Sequence, residues 1–212
     1  MSDTKSRILD AAERLFGERG LSATSLRAIT SAAGANQAAI NYHFRSKEGL
    51  IWAVYARRLG PVNQRRLEML DASEAKHGSG TLPLEEVMEA FVAPIVQLGP
   101  ESAFCPLMGR MYTEPGDFLR KVILEHMGEV ARRFTMAFKR ALPEMPDMDL
   151  YWGAFFTIGM LAHTMHGTKL LEAISAGRCD PADREGIAHR IVIFASAGLR
   201  SLVGLPARLT HS

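Results

Sequence analysis

The chain has 212 residues, of which 47% are hydrophobic, so it can bury a sizeable core in one unit or in a small domain joined to a larger one. The formal net charge is only +2, but residues 1–66 carry eleven Lys and Arg against five Asp and Glu. A basic N-terminal third favours contact with a polyanion, and the hydrophobic content argues against a largely disordered chain.

Cysteine usage and hydropathy favour a cytoplasmic protein. Cys105 and Cys179 stand apart, without a CxxC pair or the cysteine density of a disulfide framework. We expect both to be small buried hydrophobic side chains. The N-terminus lacks the apolar core of a signal peptide, and the apolar run at residues 150–162 is too short to span a bilayer. We therefore expect no membrane contact.

Apolar residues recur at helical spacing, and no run of alternating β-branched residues occurs, so the sequence predicts an all-α fold. The first helix is expected from about Asp3 to Arg19, ending at Gly20. The residues on its buried face are Ile8, Ala12, Leu15 and Phe16.

Residues 25–44 predict two short helices joined by a tight turn. The first covers 25–33, Gly34 supplies a left-handed backbone, and Asn36 caps the second helix. Ala39, Ile40 and Phe44 are expected to face inward. The outward residues are Gln37, Ala38, Asn41, Tyr42 and His43. Such small or hydrogen-bonding groups suit a helix that enters a DNA major groove, although a helical hairpin in another bundle gives the same pattern.

The remaining elements are also expected to be helical. A fourth helix begins after Ser46, its N-cap, and should kink at Gly60-Pro61 because proline removes an intrahelical hydrogen bond. Composition predicts a flexible loop at Ser73–Pro83. Further helices are predicted at Leu84–Leu98, Ser102–Thr113, Asp117–Leu142, Asp149–Ser175 and Asp180–Val203.

Aromatic and methionine side chains are dense in the later helices, and core packing accounts for most of them. The candidate ligand-binding residues in this region are Met108, Arg110, Met111, Tyr112, Phe134, Phe138, Trp152, Phe156, Met160 and His163. Arg110 can instead pair with Glu114 one turn later. His163 and His166 lie three apart, but no carboxylate or cysteine stands at a complementary local spacing. We therefore predict neither a metal site nor a cofactor.

Three segments carry a resemblance to a known family: RILDAAERLFGERGLSATSLRAIT, SAAGANQAAI and NYHFRSKEGLIWAVY. They resemble the N-terminal DNA-binding domain of TetR/AcrR-type transcriptional regulators, and the likeness covers about Ser6 to Tyr55. The run from Tyr42 to Leu50 is its most specific part. The sequence departs from the common pattern at Ala35, where valine is usual, and at Asn41, where tyrosine is frequent. The resemblance implies a helix-turn-helix DNA-binding domain at 1–50 and a larger helical ligand-binding and dimerisation domain at 51–212.

The resemblance also implies which residues meet double-stranded operator DNA. The matching positions are Thr24, Ser25, Arg27, Gln37, Ala38, Ala39, Asn41, Tyr42, His43 and Lys47. Gln37 and Asn41 can pair with adenine edges, and the alanine methyl groups can touch thymine methyl groups. The Lys47 ammonium, in the first turn of the fourth helix, can join the helix N–H groups on one phosphate.

The later helices resemble family members that respond to fatty acids or acyl-CoA, through the segments YWGAFFTIGM and HGTKLL. The resemblance implies a repressor that a small apolar effector releases from its operator. The last two helices carry apolar groups on more than one face, which indicates a partner. By resemblance they form a four-helix interface in a homodimer. The apolar residues of these two helices include Leu161, Leu170, Ile174, Ile187, Ile191, Phe194, Ala195 and Leu199.

Two other functions remain open at this point. One is a small helical enzyme, but no Ser/His/Asp, Cys/His or paired-carboxylate constellation supports it, and no catalytic residue is predicted. The other is a helical interaction module without DNA binding. The presence of Gln37, Tyr42 and Lys47 argues against that alternative.

Overall fold

The computed structural model describes residues 2–99, 102, 104–113 and 116–203; the side chains of residues 2, 3, 104, 110–113 and 119 lie outside this description. The regular elements in these ranges are all α-helices, which confirms the predicted fold class. They are α1 (Ser2–Arg19), α2 (Leu26–Ala33), α3 (Gln37–Phe44), α4 (Lys47–His77), α5 (Leu84–Val96), α6 (Phe104–Thr113), α7 (Asp117–Ala141), α8 (Asp147–Ile174) and α9 (Arg184–Leu202). None of these described helices is long and apolar enough to cross a membrane.

The chain forms two compact units. Residues 1–63 and 100–128 make up the first, and residues 64–99 with 129 onward make up the second. The helices α4 and α7 each contribute residues to both units. α4 is helical on both sides of Gly60 and Pro61, and the kink expected there stays a prediction.

Helix α1 organises the first unit. It packs against α2, α3 and α6, and its predicted inner face is fully buried at Ile8, Ala12 and Phe16. The helix ends at Gly20, whose φ of 93° continues the chain in a conformation that side chains disfavour. Ile29 and Ile40 complete the core from α2 and α3. Each such side chain contributes about 1.5–3 kcal/mol by its removal from water.

A buried acid joins α1 to α4. The Glu13 carboxylate, only 1% exposed, accepts hydrogen bonds from Arg57 and from the Arg58 Nε at 2.9 Å. Arg57 also reaches Asp10 at 2.7 Å. Burial by itself lowers the pKa of the Arg57 guanidinium, but hydrogen bonds to Glu13 and Asp10 raise it above its ordinary value. The charge of Glu13 is therefore compensated within the first unit, as a buried ion requires.

The core of the second unit is aromatic. α5 packs against α8 and α9, and its Phe91 ring lies 5.2 Å from Phe134 and 6.3 Å from Phe138 between ring centroids. Beneath Phe91 lies the buried Arg66 guanidinium, 4.5 Å from the ring centroid. Its Nε donates to the Phe91 carbonyl oxygen at 2.8 Å. Burial lowers the pKa of Arg66 to about 10, so the group stays charged at neutral pH.

The predicted loop at Ser73–Pro83 is wrong in its first half, because α4 continues to His77. Glu86 of α5 accounts for the difference. Its carboxylate accepts from the Ser73 hydroxyl at 2.8 Å and from the Lys76 ammonium at 2.7 Å, and it contacts the His77 ring at 3.1 Å. Polar residues that look like a loop in sequence are thus the last helical turn, held by an acid on the next helix.

Two further expectations need correction. α9 begins at Arg184 rather than at Asp180, because Asp183 is the N-cap and its carboxylate accepts from the Gly186 N–H at 2.9 Å. Residues 178–183 precede the helix as a turn. Cys105 is buried as expected, but Cys179 lies in that turn and is exposed.

Glu86→Gln should lower the free energy of unfolding by about 1 kcal/mol at pH 7, since solvent screens part of the interaction of this half-exposed group. The hydrogen bonds from Lys76 and then Ser73 lower the pKa of Glu86 to about 2, below its ordinary value of 4.5. The stabilisation is therefore complete above the unfolded-state pKa and is lost as the pH falls through the folded-state value. Urea unfolding followed by circular dichroism should show the difference from wild type shrinking between about pH 5 and pH 2.

The exposed Glu129 of α7 provides a control for this measurement. Glu129→Gln should change the free energy of unfolding much less at pH 7. An equal effect of the two substitutions would show that the Glu86 contacts do not stabilise the junction of α4 and α5.

Candidate nucleic-acid interface

The α2–turn–α3 segment has the local geometry that its sequence predicts. The Ser25 Oγ accepts from the Ala28 N–H at 3.1 Å, which caps α2. Gly34 has φ 58° and ψ 40°, and the next N–H, of Ala35, donates to the Thr30 carbonyl at 2.9 Å. The Asn36 Oδ1 then accepts from the Ala39 N–H at 2.9 Å and starts α3. The two helices are thus joined in a fixed turn.

Helix α3 presents a polar surface. Gln37, Ala38 and Asn41 are exposed, and Tyr42 is 73% exposed. Ile40 and Phe44 are buried on the opposite side, as predicted. Two residues lie at the border, because Ala39 and His43 are half-buried. The exposed set leaves one side of α3 free for contact with another molecule.

Two of the three residues predicted to meet DNA at the start of α2 are accessible. Ser25 and Arg27 are exposed. Thr24 is 1% exposed, and its hydroxyl donates to the carbonyl oxygens of Leu15 and Gly20 at 3.1 and 2.7 Å. This placement corrects the expectation that Thr24 meets DNA, because its hydroxyl instead links the α1–α2 connection to the end of α1.

Lys47 is half-buried and bound to the protein itself. Its ammonium donates to the Ser22 carbonyl oxygen at 3.3 Å, which links the first turn of α4 to the α1–α2 connection. An ammonium has three donors, so two remain for an anion. Ser46 caps the same turn, as predicted, because its Oγ accepts from the Gly49 N–H at 3.0 Å.

The connection between α3 and α4 is tighter than the sequence indicates. The Ser46 N–H donates to the Phe44 carbonyl at 2.8 Å, which closes a γ-turn with Arg45 at its centre. Arg45 has φ 68° and ψ −43°. A Cβ atom on Gly49 would lie 2.1 Å from the Phe44 carbonyl oxygen, so this carbonyl needs a glycine beside it. Only the glycine signals the close approach in the sequence.

Two family models match this chain. Residues 8–54 match "Bacterial regulatory proteins, tetR family", and residues 89–198, more than half of the chain, match "Tetracyclin repressor-like, C-terminal domain". The chain belongs to the TetR family. Proteins of this family are DNA-binding transcriptional regulators that bind operator DNA and small ligands, and they are not enzymes.

Individual relatives agree with this assignment. The chain is 43% identical over 63 residues to the HTH-type transcriptional regulator AcrR of Shigella flexneri, covering 28% of this chain and 29% of that protein. It is 44% identical over 50 residues to the HTH-type transcriptional repressor KstR2 of Rhodococcus jostii, covering 24% of each. These matches span less than a third of either relative. The fatty acid degradation regulator FadR of Bacillus halodurans shares the fold, with a TM-score of 0.63, 15% identity and coverage of 99% of this chain and 97% of that one.

The ligand residues predicted for this TetR-family chain are not brought together in the described structure. Phe134 and Phe138 belong to the core of the second unit, packed beside Phe91. Trp152 and Phe156 are more than half exposed on α8, stacked on each other at 5.6 Å. Phe134 and Phe138 thus lie in the core and Trp152 and Phe156 on the surface of the described chain, and their contact with a ligand stays a prediction.

The other predicted ligand residues are also dispersed. Met160 is half-buried and His163 exposed on α8, whereas the half-buried Met108 belongs to the first unit. The side chains of Arg110, Met111 and Tyr112 lie outside the described residues, and so does the proposed pairing of Arg110 with Glu114. Elsewhere in the second unit, a concavity of about 290 Å³ lies between α8, the following turn and α9. None of the predicted ligand residues lines it; Thr164, Thr168 and Ile187 do.

Gly49→Ala should destabilise the protein by about 1–3 kcal/mol, because the new methyl group collides with backbone rather than with a side chain that can turn away. Displacement of the Phe44 carbonyl should also shift α3 and weaken DNA binding.

Gly60→Ala, in the same helix, is the control. Its methyl group meets no atom within 4 Å, and the substitution should instead stabilise the protein by about 0.5–1 kcal/mol. Thermal unfolding and DNA titration of both variants test this; equal effects on stability would exclude the steric argument.

Proposed function

We propose that this TetR-family protein is a repressor that binds operator DNA as a homodimer and releases it when a small apolar effector binds. The observation that carries the proposal is the capped α2–α3 pair with an exposed polar side on α3. The name of KstR2, a repressor, supports repression over activation. The DNA contacts, the dimer and the effector each rest on separate observations.

The exposed residues of α3 are suited to base recognition. Gln37 and Asn41 are one helical turn apart, and their amide groups can each make a bidentate pair with adenine in the major groove. Between them, the Ala38 methyl group is small enough to approach a thymine methyl group. Tyr42 and the half-buried His43 follow at the end of the helix, where contacts to the DNA backbone or a base are within reach.

Phosphate contacts are proposed around the helix starts. The α2 N-terminus offers backbone N–H groups beside Ser25 and Arg27. Lys47 adds an ammonium at the start of α4, with Ser22 holding it in place. These groups position the protein on the duplex and carry no sequence information by themselves.

Lys47→Ala should weaken binding to all DNA sequences about equally and reduce the slope of log K against log salt by about one unit. Gln37→Ala should instead cost about 1–3 kcal/mol at one or two operator positions. Both can be measured by fluorescence anisotropy with an operator fragment selected from random DNA by the wild-type protein.

Lys169→Ala, which removes an exposed lysine from α8, is the control and should leave both the slope and the base preference unchanged. The assignment of roles fails if Lys47→Ala alters base preference without changing the salt slope. The proposed DNA binding itself fails if the wild-type protein selects no sequence.

The apolar surfaces of α8 and α9 support a homodimer. Several large apolar side chains on these helices are at least half exposed: Tyr151, Trp152, Phe155, Phe156, Leu170, Leu171, Ile174, Ile193 and Phe194. An exposed apolar surface of this size favours association. A second copy is the partner we propose, because one recognition helix covers only a few base pairs and two copies read two half-sites.

The structure changes which residues can form that interface. Leu161, Ile191, Ala195 and Leu199 are buried within a single chain and Ile187 is half-buried, so they belong mainly to its own packing. Leu170, Ile174 and Phe194 are 63–74% exposed and remain available. A substitution at Ile191 would therefore disturb folding rather than test the interface.

Replacing Ile174 and Phe194 with aspartate should produce a folded monomer, because buried charges without partners oppose association. Operator affinity should fall roughly 100-fold with the loss of the second binding unit. Leu124→Asp, at a 65% exposed position on α7, should leave the protein dimeric. Light scattering after gel filtration measures the mass, and a double variant that remains a dimer would contradict this interface.

The effector is proposed from chemistry and resemblance. The aromatic and methionine side chains of the second unit suit an apolar compound, and FadR of Bacillus halodurans is named as a regulator of fatty acid degradation. Fatty acids and acyl-CoA are therefore the first compounds to screen by thermal shift, followed by operator titration.

We propose that the signal travels along α4, since this helix contributes residues to both units. A ligand can act only through different affinities for two arrangements of the protein, and couplings of about 1–3 kcal/mol are usual.

A further inference from the structure

Arg45 holds a backbone conformation that a side chain disfavours. Its φ of 68° and ψ of −43° place it at the centre of the γ-turn between α3 and α4, closed by the 2.8 Å hydrogen bond from the Ser46 N–H to the Phe44 carbonyl. This form of the γ-turn is rare and strained for residues with a Cβ atom. Glycine would occupy the same position with less strain.

Glycine is what the chain uses at nearly every other such position. Among the described residues, seven have a positive φ in this region; five are glycines, and the two with side chains are Arg45 and Ala176. Ala176 follows α8 in the second unit. Replacing Arg45 with glycine would relieve the strain in this turn. A strained residue that is not glycine is expected where its side chain has a function.

The placement of Arg45 indicates that function. It follows α3 directly, four residues after Asn41, and lies two residues before Lys47. The side chain is exposed, and it has no hydrogen bond or ion pair with any residue that the structure describes. α3 itself contains no acidic residue, and the exposed Glu48 in α4 is the nearest acid in the sequence.

The turn also fixes the direction in which the Arg45 side chain leaves the backbone. The Phe44 carbonyl oxygen accepts the hydrogen bond from the Ser46 N–H and also lies against Gly49. A Cβ atom on residue 49 would lie 2.1 Å from that oxygen. The Cα–Cβ direction at Arg45 is therefore set by α3 and α4 together. Such pre-organisation lowers the conformational entropy that an arginine loses when it binds.

We propose that Arg45 binds a DNA phosphate beside α3, and that the strained γ-turn positions its guanidinium for that contact. A guanidinium can donate two parallel hydrogen bonds to one phosphate. The inference rests on the proposed DNA binding and adds a contact that the sequence did not single out. Phosphate recognition is independent of base sequence, so it can be tested on mixed-sequence duplex DNA as well as on a selected operator.

Three substitutions separate the charge from the strain. Arg45→Ala should weaken binding to mixed-sequence DNA about tenfold and reduce the salt slope by about one unit, with an unchanged melting temperature. Arg45→Lys should keep the salt slope. Arg45→Gly should lose the same affinity as Arg45→Ala but raise the melting temperature by about 2–4 °C, because the strain is relieved.

Ala176→Gly is the matched control. It should raise the melting temperature in a similar way and leave DNA affinity and salt slope unchanged. An unaltered salt slope in Arg45→Ala would overturn the phosphate contact, and a lower melting temperature in Arg45→Gly would overturn the strain. If the wild-type protein binds no duplex DNA at all, the proposed function fails before Arg45 is at issue.

Discussion

The buried carboxylate of Glu13 is the constraint on which the first unit depends. An ion in a protein interior is tolerated only when its charge is matched, and Arg57 and Arg58 of α4 supply that match for an acid on α1. Apolar contacts between two helices permit sliding and small rotations, whereas hydrogen bonds to a carboxylate fix register. Because α1 also packs against α2 and α3, the ion pairs between α1 and α4 set where α4 begins relative to α3. The positions of the residues proposed to contact DNA therefore depend on the buried carboxylate of Glu13.

The sequence distance between interacting residues explains which parts of this site could be predicted. Gly34 and Asn36 act on backbone groups within four residues of themselves, so their roles could be predicted and are confirmed. Ser25 also acts locally, as the N-cap of α2, although it was expected inside that helix. Thr24 and Lys47 donate to carbonyl groups nine and twenty-five residues away in the sequence. A local sequence pattern does not predict hydrogen bonds over such distances. Arg45 was missed for another reason. A positive φ is expected at glycine, and nothing in the sequence marks an arginine that accepts one.

In the second unit, the helices could be predicted from the sequence, apart from the start of α9, but the buried and exposed sides of α8 and α9 could not. Apolar residues occur all round α8 and α9, so periodicity alone does not distinguish the side that faces α5 from the side that faces solvent. Ile191 is buried and Phe194, three residues later, is 72% exposed. The end of α4 shows the same limit for polar residues. Ser73, Lys76 and His77 have the composition of a loop, but they form the end of a helix and contact Glu86 on the next one.

The guanidinium beneath Phe91 makes one residue type hard to replace. Burial lowers the pKa of Arg66 to about 10, which still leaves it almost entirely protonated at any pH a cell reaches. A lysine begins roughly two pKa units lower, so the same burial would leave it less securely charged. Arginine therefore gives the interior of the second unit a positive charge that is retained at neutral pH.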